Sequence, residues 1–261
     1  MRVLTLNIWN LSGDWRARRQ AILAVVRDCA PDVVCLQEVV ENERGNQATW
    51  LAAELGDWAM AFAGTPNERA AGRFGNAVLS RRPITAQADR ELPYFADDQE
   101  TRRVVLHART AGVDVFCTHL AWQLHDAGLR ERQVVELVRF VGEQVDPGAP
   151  LGPVLAGDFN AEPDATAIRY LCGLATLDGR STYLQDAWRL AGDGGPGHTW
   201  SNANPHAALD AEPERRLDYV FSGFHGRSGR GRPVECRVVA DTPVDGVWPT
   251  DHYGVLAVLQ D

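Results

Sequence analysis

Short apolar segments of β-strand type recur along the chain, and several of them end at a polar residue. The first covers residues 3–8 and the second covers residues 32–38. Between them, residues 15–29 carry apolar side chains at helical spacing and are followed by Pro31, which cannot continue a helix. This order predicts a β-α-β start, in which a helix covers one face of a sheet.

The rest of the chain continues the alternation. Further strands are predicted at residues 75–79, 104–109, 113–118, 154–156, 217–221, 235–240 and 253–259, and helices at 47–55, 129–145 and 165–171. Several neighbouring strands are joined by connections too short for a parallel crossover, so the sheets should be mixed, with helices outside. The loops around residues 63–75, 192–213 and 223–233 are too short to separate domains. We therefore expect an α/β (α+β) fold with a single domain over residues 1–261.

The basic residues restrict the chemistry. All 26 of them are arginine, so the 261-residue chain contains no lysine. A chain without lysine cannot form a side-chain Schiff base and cannot supply the lysine of a Walker phosphate loop or of a kinase-type clamp. The formal net charge of −9 also argues against non-specific coating of nucleic acid or of an anionic membrane. A local basic cleft remains compatible with this charge.

The cysteines and the first residues indicate the cellular compartment. The five cysteines are odd in number, widely spaced and without a C-x-x-C pair, so they predict buried thiols rather than disulfides or a zinc site. The sequence opens on a strand-like segment and has no apolar stretch of signal or transmembrane length. We therefore expect a cytoplasmic protein.

A set of polar residues lies at or just beyond the ends of the apolar strands, where α/β proteins place their working groups. The set is Asn7, Glu38, His119, Asp158, Asn160, Asp218, Asp251 and His252. Each of these residues alone is most often a turn, cap or packing residue. Together, carboxylates, amides and histidines without cysteine ligands match the chemistry of phosphate esters with Mg²⁺ or Mn²⁺, because these ions take oxygen ligands.

The sequence strings around these residues carry a family resemblance. They are LNIW, LQEV, THL, GDFNAEPD, RLDYVF and TDHYGVL, in this order over residues 4–256. In this combination the chain resembles the endonuclease/exonuclease/phosphatase superfamily. The resemblance implies a four-layer α/β sandwich, in which two mixed β-sheets pack face to face with helices outside.

The resemblance also implies roles for the metal and water residues. Glu38 would be the principal ligand of Mg²⁺ or Mn²⁺, with Asn7 beside it, and Asp251 would support the metal or its waters. Asp158 would position and activate the attacking water.

The remaining implied roles concern the phosphate. Asn160 and His119 would hold the scissile phosphate. His252 would be the remaining general acid/base or phosphate contact, held by Asp218. This assignment agrees with the need of such an imidazole for a partner that fixes its tautomer.

One departure from the family pattern bears on the branch. Abasic-site DNA repair nucleases usually carry an acidic residue two positions after the first asparagine, where this chain has Trp9. The segments LNIWNLSGDW and TDHYGVLAVL are more similar to the branch of neutral sphingomyelinases and small bacterial phosphodiesterases. The expected enzyme is therefore nearer to that branch than to DNA repair.

Three features bear on the substrate, each with two interpretations. Arg102 and Arg103 either recognise an anion or form salt bridges at the exposed start of a strand. The arginines of residues 215–232 form either a phosphate-facing rim or a solvated loop. Trp200 either stacks on substrate or packs beside the cleft.

The substrate class is open at this stage. A membrane-acting enzyme should expose an apolar hairpin or carry a membrane segment, and the only candidate tip, at residues 92–95, is short. We predict a monomeric metal-dependent hydrolase of a phosphodiester or phosphomonoester, without stable membrane association. The alternatives are a DNA or RNA endo- or exonuclease and a catalytically inactive binding domain of the same fold.

Overall fold

The computed structural model describes residues 1–56, 58–223 and 229–260. Its strands are β1 (Arg2–Asn7), β2 (Val33–Asn42), β3 (Gly45–Asn46), β4 (Ala59–Asn67), β5 (Gly72–Ser80), β6 (Ile84–Glu91), β7 (Val104–Thr110), β8 (Val113–His119), β9 (Val154–Asp158), β10 (Leu184–Asp186), β11 (Asp218–Gly223), β12 (Pro233–Val239) and β13 (Gly254–Leu259). Its α-helices are α1 (Trp15–Cys29), α2 (Gln47–Glu54), α3 (Ala127–Gln144), α4 (Thr166–Leu171) and α5 (Ala187–Ala191).

The strands form two mixed sheets. The first has the order β12-β13-β1-β2-β5-β4, with β3 paired to β2, and the second has the order β10-β11-β9-β8-β7-β6. The pairs β1–β2 and β8–β9 are parallel, and the other pairs are antiparallel. The chain builds one side of the first sheet, then the whole second sheet, and returns to the first sheet with β12 and β13.

Alternation of side chains along the strands explains the layers. In β1, Val3 lies in the apolar cluster between the two sheets, whereas Leu4 and Leu6 lie in the cluster that contacts α1 and α2. The outer face of the second sheet packs on α3 and α4 in a third cluster, which includes Phe116 and Leu137. The order helix, sheet, sheet, helix is the predicted four-layer sandwich, and the predicted fold class is confirmed.

The helix starts are set by side chains that cap free backbone groups. The Asp14 carboxylate accepts from the Ala17 N–H at the start of α1, and the Asn46 carboxamide oxygen accepts from the Ala48 and Thr49 N–H groups at the start of α2. α1 ends at Ala30, whose φ of 44° is left-handed. The start of α1 and the β2–α2 connection both lie beside the ends of β1 and β2, where the polar residues accumulate.

The predicted loop at residues 63–75 is wrong. Residues 59–67 and 72–80 form the hairpin β4–β5, and β4 is the edge strand of its sheet. An edge strand tolerates Gly64 and Pro66 because one side of its backbone needs no partner. The strands β6 and β10 and the helix α5 are also absent from the sequence-based prediction, since they are partly exposed or short.

Two simpler expectations concern cysteines and membrane segments. All five cysteines are free and buried, as predicted. Within the described ranges, no helix is both long and apolar enough to cross a membrane.

Candidate active site

Three predicted residues form a row across the second sheet. The strand register pairs His119 of β8 with Asp158 of β9, and Asp158 with Asp218 of β11. All three side chains are buried. Residues paired across neighbouring strands have side chains on the same face, so the register alone brings the three together.

The first sheet contributes Asn7 from the end of β1 and Glu38 from the middle of β2, one residue beyond the point where the parallel pairing of these strands ends. Asn7 closes β1, and its Nδ2 donates to Asp158 Oδ2 at 3.1 Å and to Glu38 Oε1 at 3.3 Å. A single carboxamide therefore contacts the acidic residues of both sheets. The predicted site lies where the ends of β1 and β9 meet the middle of β2.

Glu38 is aimed by a β-bulge. The pairing of β2 with β5 shifts register between Leu36 and Val39, and Glu38 has a φ of 61°. A non-glycine residue in this conformation carries local strain and is common at functional sites. Its second oxygen, Oε2, accepts from Asn10 Nδ2 at 2.8 Å, so two amides orient the carboxylate.

Nitrogen atoms of three side chains surround Asp158 Oδ2. Besides its bond from Asn7, it lies 3.6 Å from His119 Nε2 and 3.7 Å from His252 Nε2. The other oxygen, Oδ1, accepts from the Asn160 backbone N–H at 2.9 Å. Burial, with a further contribution from the negative charge of Asp218, raises the pKa of Asp158 to about 7.

The two histidines of the cluster have opposite electrostatic environments. Burial lowers the pKa of His252, but the facing carboxylates of Asp218 and Asp158 outweigh it and raise the pKa well above the usual value. His252 Nδ1 lies 2.9 Å from Asp218 Oδ2. Burial, together with the positive charges of Arg103 and His252, holds the pKa of His119 well below the usual value. These environments therefore favour the charged form of His252 and the neutral form of His119.

Asp251 completes the acidic side of the cluster. Burial raises the pKa of Asp251 to about 7, with His252 opposing this shift and Glu38 adding to it. Thr250 Oγ1 donates to the Asn7 carbonyl at 2.8 Å and lies 3.0 Å from Asp251 Oδ1. The segment before β13 is thereby tied to the end of β1.

The donor set fits a hard divalent cation. Two buried carboxyl groups, Asp158 and Asp251, have pKa values raised by burial and by neighbouring carboxylates, and a cation would relieve that repulsion. Asp218 Oδ1 is buried without a hydrogen-bond partner in the described part of the chain. One ligand atom each from Asp158, Asp218 and His252 lies within 4.8 Å of the others. Within this group of three residues, however, His252 Nδ1 and Asp218 Oδ2 already form a hydrogen bond with each other.

Arg18 is a buried residue that the sequence patterns did not reveal as part of the site. Its guanidinium is 2% exposed and donates to the carbonyls of Ile8, Trp9, Asn10, Ser12 and Pro249, at 2.7–3.1 Å. It thus fixes the loop after β1 and the segment before Asp251. An arginine in the middle of an arginine-rich helix start gives no sequence signal of this role, and neither does Asn10.

The three predicted substrate-binding residues differ in their burial and in their partners. Arg103 is buried, donates from Nε to the Leu120 carbonyl at 3.2 Å, and lies close enough to lower the pKa of His119. Arg102 instead forms an ion pair with Glu91, away from the cluster. Trp200 is only 7% exposed and packs edge-on against His252, with 4.9 Å between the ring centroids.

Of the arginines of residues 215–232, Arg215 and Arg216 have carboxylate partners in the described part of the chain. Arg215 pairs with Glu212, and Arg216 pairs with the buried Asp186. Arg227 lies outside the described residues. Asn160 lies next to Asp158: its backbone N–H donates to Asp158 Oδ1 at 2.9 Å, its φ is 47°, and its Nδ2 donates to the Leu120 carbonyl at 3.1 Å.

Comparisons with known proteins agree with this geometry. A model of the endonuclease/exonuclease/phosphatase family matches residues 4–252. YbhP, an uncharacterized protein of Escherichia coli (strain K12), is 29% identical over 253 residues, which cover 81% of this chain and 95% of YbhP.

Solved structures share the fold. The endonuclease/exonuclease/phosphatase from Beutenbergia cavernae DSM 12333 is 27% identical with a TM-score of 0.70, over 100% of this chain and 71% of that one. D. rerio TDP2, solved in complex with a single-strand DNA product, is 17% identical with a TM-score of 0.76, over 100% of this chain and 99% of that one.

Proposed function

Because this chain belongs to the endonuclease/exonuclease/phosphatase family, we propose that it is a divalent-metal-dependent hydrolase of phosphodiester or phosphomonoester bonds. The reaction would be an in-line attack of an activated water on phosphorus. The single observation that carries the proposal is the convergence of Asn7, His119 and His252 on one carboxylate oxygen, Asp158 Oδ2.

Asp158 has the properties of the residue that orients and deprotonates the water. Its pKa of about 7 lies at neutral pH, and a general base is most effective when its pKa is close to the pH of the reaction. Its Oδ1 is held by the Asn160 N–H at 2.9 Å, which fixes the carboxylate plane. A water hydrogen-bonded to this carboxylate would lose its proton to it as the bond to phosphorus forms.

His119 and Asn160 would hold the scissile phosphate. His119 is neutral, so one ring nitrogen carries a proton and can donate to a phosphate oxygen. The Asn160 side chain lies beside it, anchored on the same Leu120 carbonyl that Arg103 contacts. Fixed donors of this kind stabilise charge that builds up on phosphate oxygens in the transition state.

His252 would donate a hydrogen bond to the phosphate from the same side as Asp158. Its pKa lies well above the usual value, so it carries the proton at neutral pH. Asp218, 2.9 Å from His252 Nδ1, orients the ring and leaves Nε2 as the donor. The charged imidazole also balances the charge of Asp158, from which its Nε2 lies 3.7 Å away.

Glu38, Asn7 and Asp251 would hold the cation, Mg²⁺ or Mn²⁺. All three offer oxygen atoms, as these ions require, and Glu38 is oriented by two amides. When bound, the cation would neutralise phosphate charge and stabilise the leaving group.

The test is hydrolysis of bis-p-nitrophenyl phosphate and p-nitrophenyl phosphate after metal removal with EDTA, with Mg²⁺ or Mn²⁺ added back. We expect turnover that requires the cation and is lost in Asp158→Asn. Extending the panel to p-nitrophenylphosphorylcholine and plasmid DNA ranks the substrate classes. Absence of cation-dependent hydrolysis across the full panel contradicts the proposal and favours an inactive binding domain.

A nuclease is the second candidate function. The D. rerio TDP2 structure contains a single-strand DNA product, and this chain shares its fold. The net charge of −9 opposes binding of a long polyanion, but Arg16, Arg19 and Arg44, which line a cleft between the start of α1 and the connection from β2 to α2, can offset it locally. Turnover of plasmid DNA that exceeds turnover of the small esters would select this candidate.

A further inference from the structure

A second cleft opens on the outer side of the loop that follows β1. It has a volume of about 460 Å³ and lies between the start of α1 and the connection from β2 to α2. We call it the arginine cleft, and it is defined by Leu11, Trp15, Arg16, Arg19, Arg44 and Trp50. Its volume is in the range of small-ligand sites, which is about 300–1,000 Å³.

The positive charge of the arginine cleft is unusual in so acidic a protein. In residues 1–56, 58–223 and 229–260, no carboxylate forms an ion pair with Arg16, Arg19 or Arg44. Arg19 Nε is buried and has no hydrogen-bond partner among those residues. Asp14 is the one carboxylate of the lining, and its Oδ1 already accepts from the Ala17 N–H. Three guanidinium groups are therefore available to an anion.

The amides of the lining are already used by the fold. Asn46 caps α2, and Gln47 accepts from the Val40 N–H and donates to the Asn10 carbonyl. They give the cleft fixed walls but few free hydrogen-bond groups. Recognition in the arginine cleft therefore rests on guanidinium groups and on ring faces.

Aromatic surface lies next to the charge. The Arg19 guanidinium carbon lies 4.5 Å from the centroid of the Trp50 ring, and Trp15 forms part of the same lining. Both indoles are only half-buried. An arginine stacked on an indole presents a flat surface on which a planar ring can stack, next to donors for phosphate oxygens.

The arginine cleft and the proposed catalytic site share one wall. Gln47 Nε2 donates to the Asn10 carbonyl at 2.8 Å, and Asn10 Nδ2 donates to Glu38 Oε2 at 2.8 Å. Leu11 of the cleft follows Asn10 directly, and Val40 of the cleft lies two residues beyond Glu38 on β2. A substrate that extends past the Asn10 loop would reach from one site into the other.

We propose that the arginine cleft is a distal subsite that binds a second phosphate of the substrate together with an attached nucleobase. The substrate class is then a short single-stranded nucleotide chain, with the scissile phosphate at Asp158 and a neighbouring nucleotide in the cleft. This inference rests on the proposed function for its catalytic half. Its binding half stands on the three arginines and two indoles alone.

The test uses Arg19→Gln/Arg44→Gln and a charge-matched control, Arg27→Gln/Arg82→Gln. The control arginines lie at the other end of the first sheet: Arg27 is in the last turn of α1, and Arg82 follows Ser80, which pairs with Val33 at the start of β2. Binding of fluorescein-labelled octathymidylate is followed by anisotropy in EDTA, so that no turnover occurs. Competition with tripolyphosphate separates a nucleotide site from a site for any polyanion.

We expect the double variant to bind octathymidylate about tenfold more weakly than the wild type, and the control to bind within twofold. The dependence of log K on log salt should become shallower by about 1.4, since each single-strand phosphate contact contributes about 0.7. Equal binding by the double variant and the control overturns the proposal, as does a wild type that does not bind. Tripolyphosphate that competes as well as unlabelled octathymidylate, compared per phosphate, overturns the nucleobase part.

The catalytic part of the proposal is tested by measuring kcat/KM on bis-p-nitrophenyl phosphate and on tetrathymidylate. We expect the double variant to lose about tenfold on tetrathymidylate and less than twofold on bis-p-nitrophenyl phosphate, which has no second phosphate. Equal losses on both substrates contradict a distal subsite. If no substrate turns over while the binding difference persists, the proposed hydrolase function fails and the nucleotide-binding cleft stands.

Discussion

Asn7 Nδ2 donates to Asp158 Oδ2 at 3.1 Å, and this bond joins the last residue of β1 in one sheet to the last residue of β9 in the other. Both side chains are buried to about 99%. The relative position of the two sheets therefore determines the geometry of the site. Packing of the apolar cluster between the sheets, rather than any single loop, holds Glu38 near Asp158.

His252→Gln should lower kcat about 100-fold on bis-p-nitrophenyl phosphate, because the neutral amide loses the positive charge that stabilises the phosphate in the transition state. The matched control is His107→Gln, since His107 and Asp114 form a second buried pair, at 2.7 Å, outside the cluster. We expect the control to change stability but to keep kcat within threefold in the folded protein. Similar kcat values for the two variants would remove His252 from the mechanism.

Glu38→Gln should weaken the cation dependence rather than abolish the fold. The amide keeps the size of the side chain but loses the charge that attracts a divalent ion. We expect the Mg²⁺ or Mn²⁺ concentration for half-maximal activity to rise at least tenfold, as measured by metal titration after EDTA treatment. Glu41→Gln, on the same strand and paired with the exposed Arg73, should leave the titration unchanged. An unaltered titration in Glu38→Gln excludes it as the main ligand.

Arg18→Met should destabilise the protein by about 3 kcal/mol, because buried backbone carbonyls lose their donors. The free energy of unfolding is measured by urea denaturation. Arg27→Met on the same helix should cost under about 1 kcal/mol, since Arg27 forms only an exposed bond to the Glu54 carbonyl. A loss as small as that of the control would show that the loop after β1 is held by other contacts.

Stability should also fall in acid through Asp114. Burial raises the pKa of Asp114, but hydrogen bonds from Arg109, the Asp146 N–H and His107 outweigh it and lower the pKa below its usual value. A lowered folded-state pKa means that the contribution is fully present above the unfolded-state pKa of about 4 and is lost as pH falls through the folded-state value. The gap in unfolding free energy between wild type and Asp114→Asn should therefore be constant near pH 6–7 and shrink below about pH 4. If the difference in unfolding free energy between the two proteins instead grows as the pH falls, the pKa of Asp114 is not lowered in the folded protein and this account is contradicted.

The strand ends could be predicted from sequence because the chemistry of the chain changes there abruptly. Asp158 follows a run that is apolar enough to be a strand and Asp218 precedes one, and the pairing of those strands then follows from the fold. Glu38 was found in the same way, although its orientation depends on a β-bulge that no periodicity reveals. The edge strand β4 was missed because alanine, glycine and proline, which are uncommon in strands, make up much of its sequence, although its burial alternates.

Arg18 and the arginine cleft could not be predicted for a different reason. The acceptors of Arg18 include the Pro249 carbonyl, 231 residues away in the chain, and only the folded packing brings them together. Arg16, Arg19 and Arg44 likewise converge from two separate segments. In sequence, each of these residues has the pattern of an exposed arginine. Buried polar contacts between distant segments carry no local signature.

The central claim is tested most directly by the initial rate of bis-p-nitrophenyl phosphate hydrolysis by the wild type and by Asp158→Asn, each with EDTA and with added Mg²⁺ or Mn²⁺. We predict that the wild type turns over only with the cation and that Asp158→Asn loses at least about 100-fold under the same conditions while its thermal unfolding remains cooperative. Wild-type turnover that is unaffected by EDTA, or a folded Asp158→Asn protein with near-normal rates, would contradict the account.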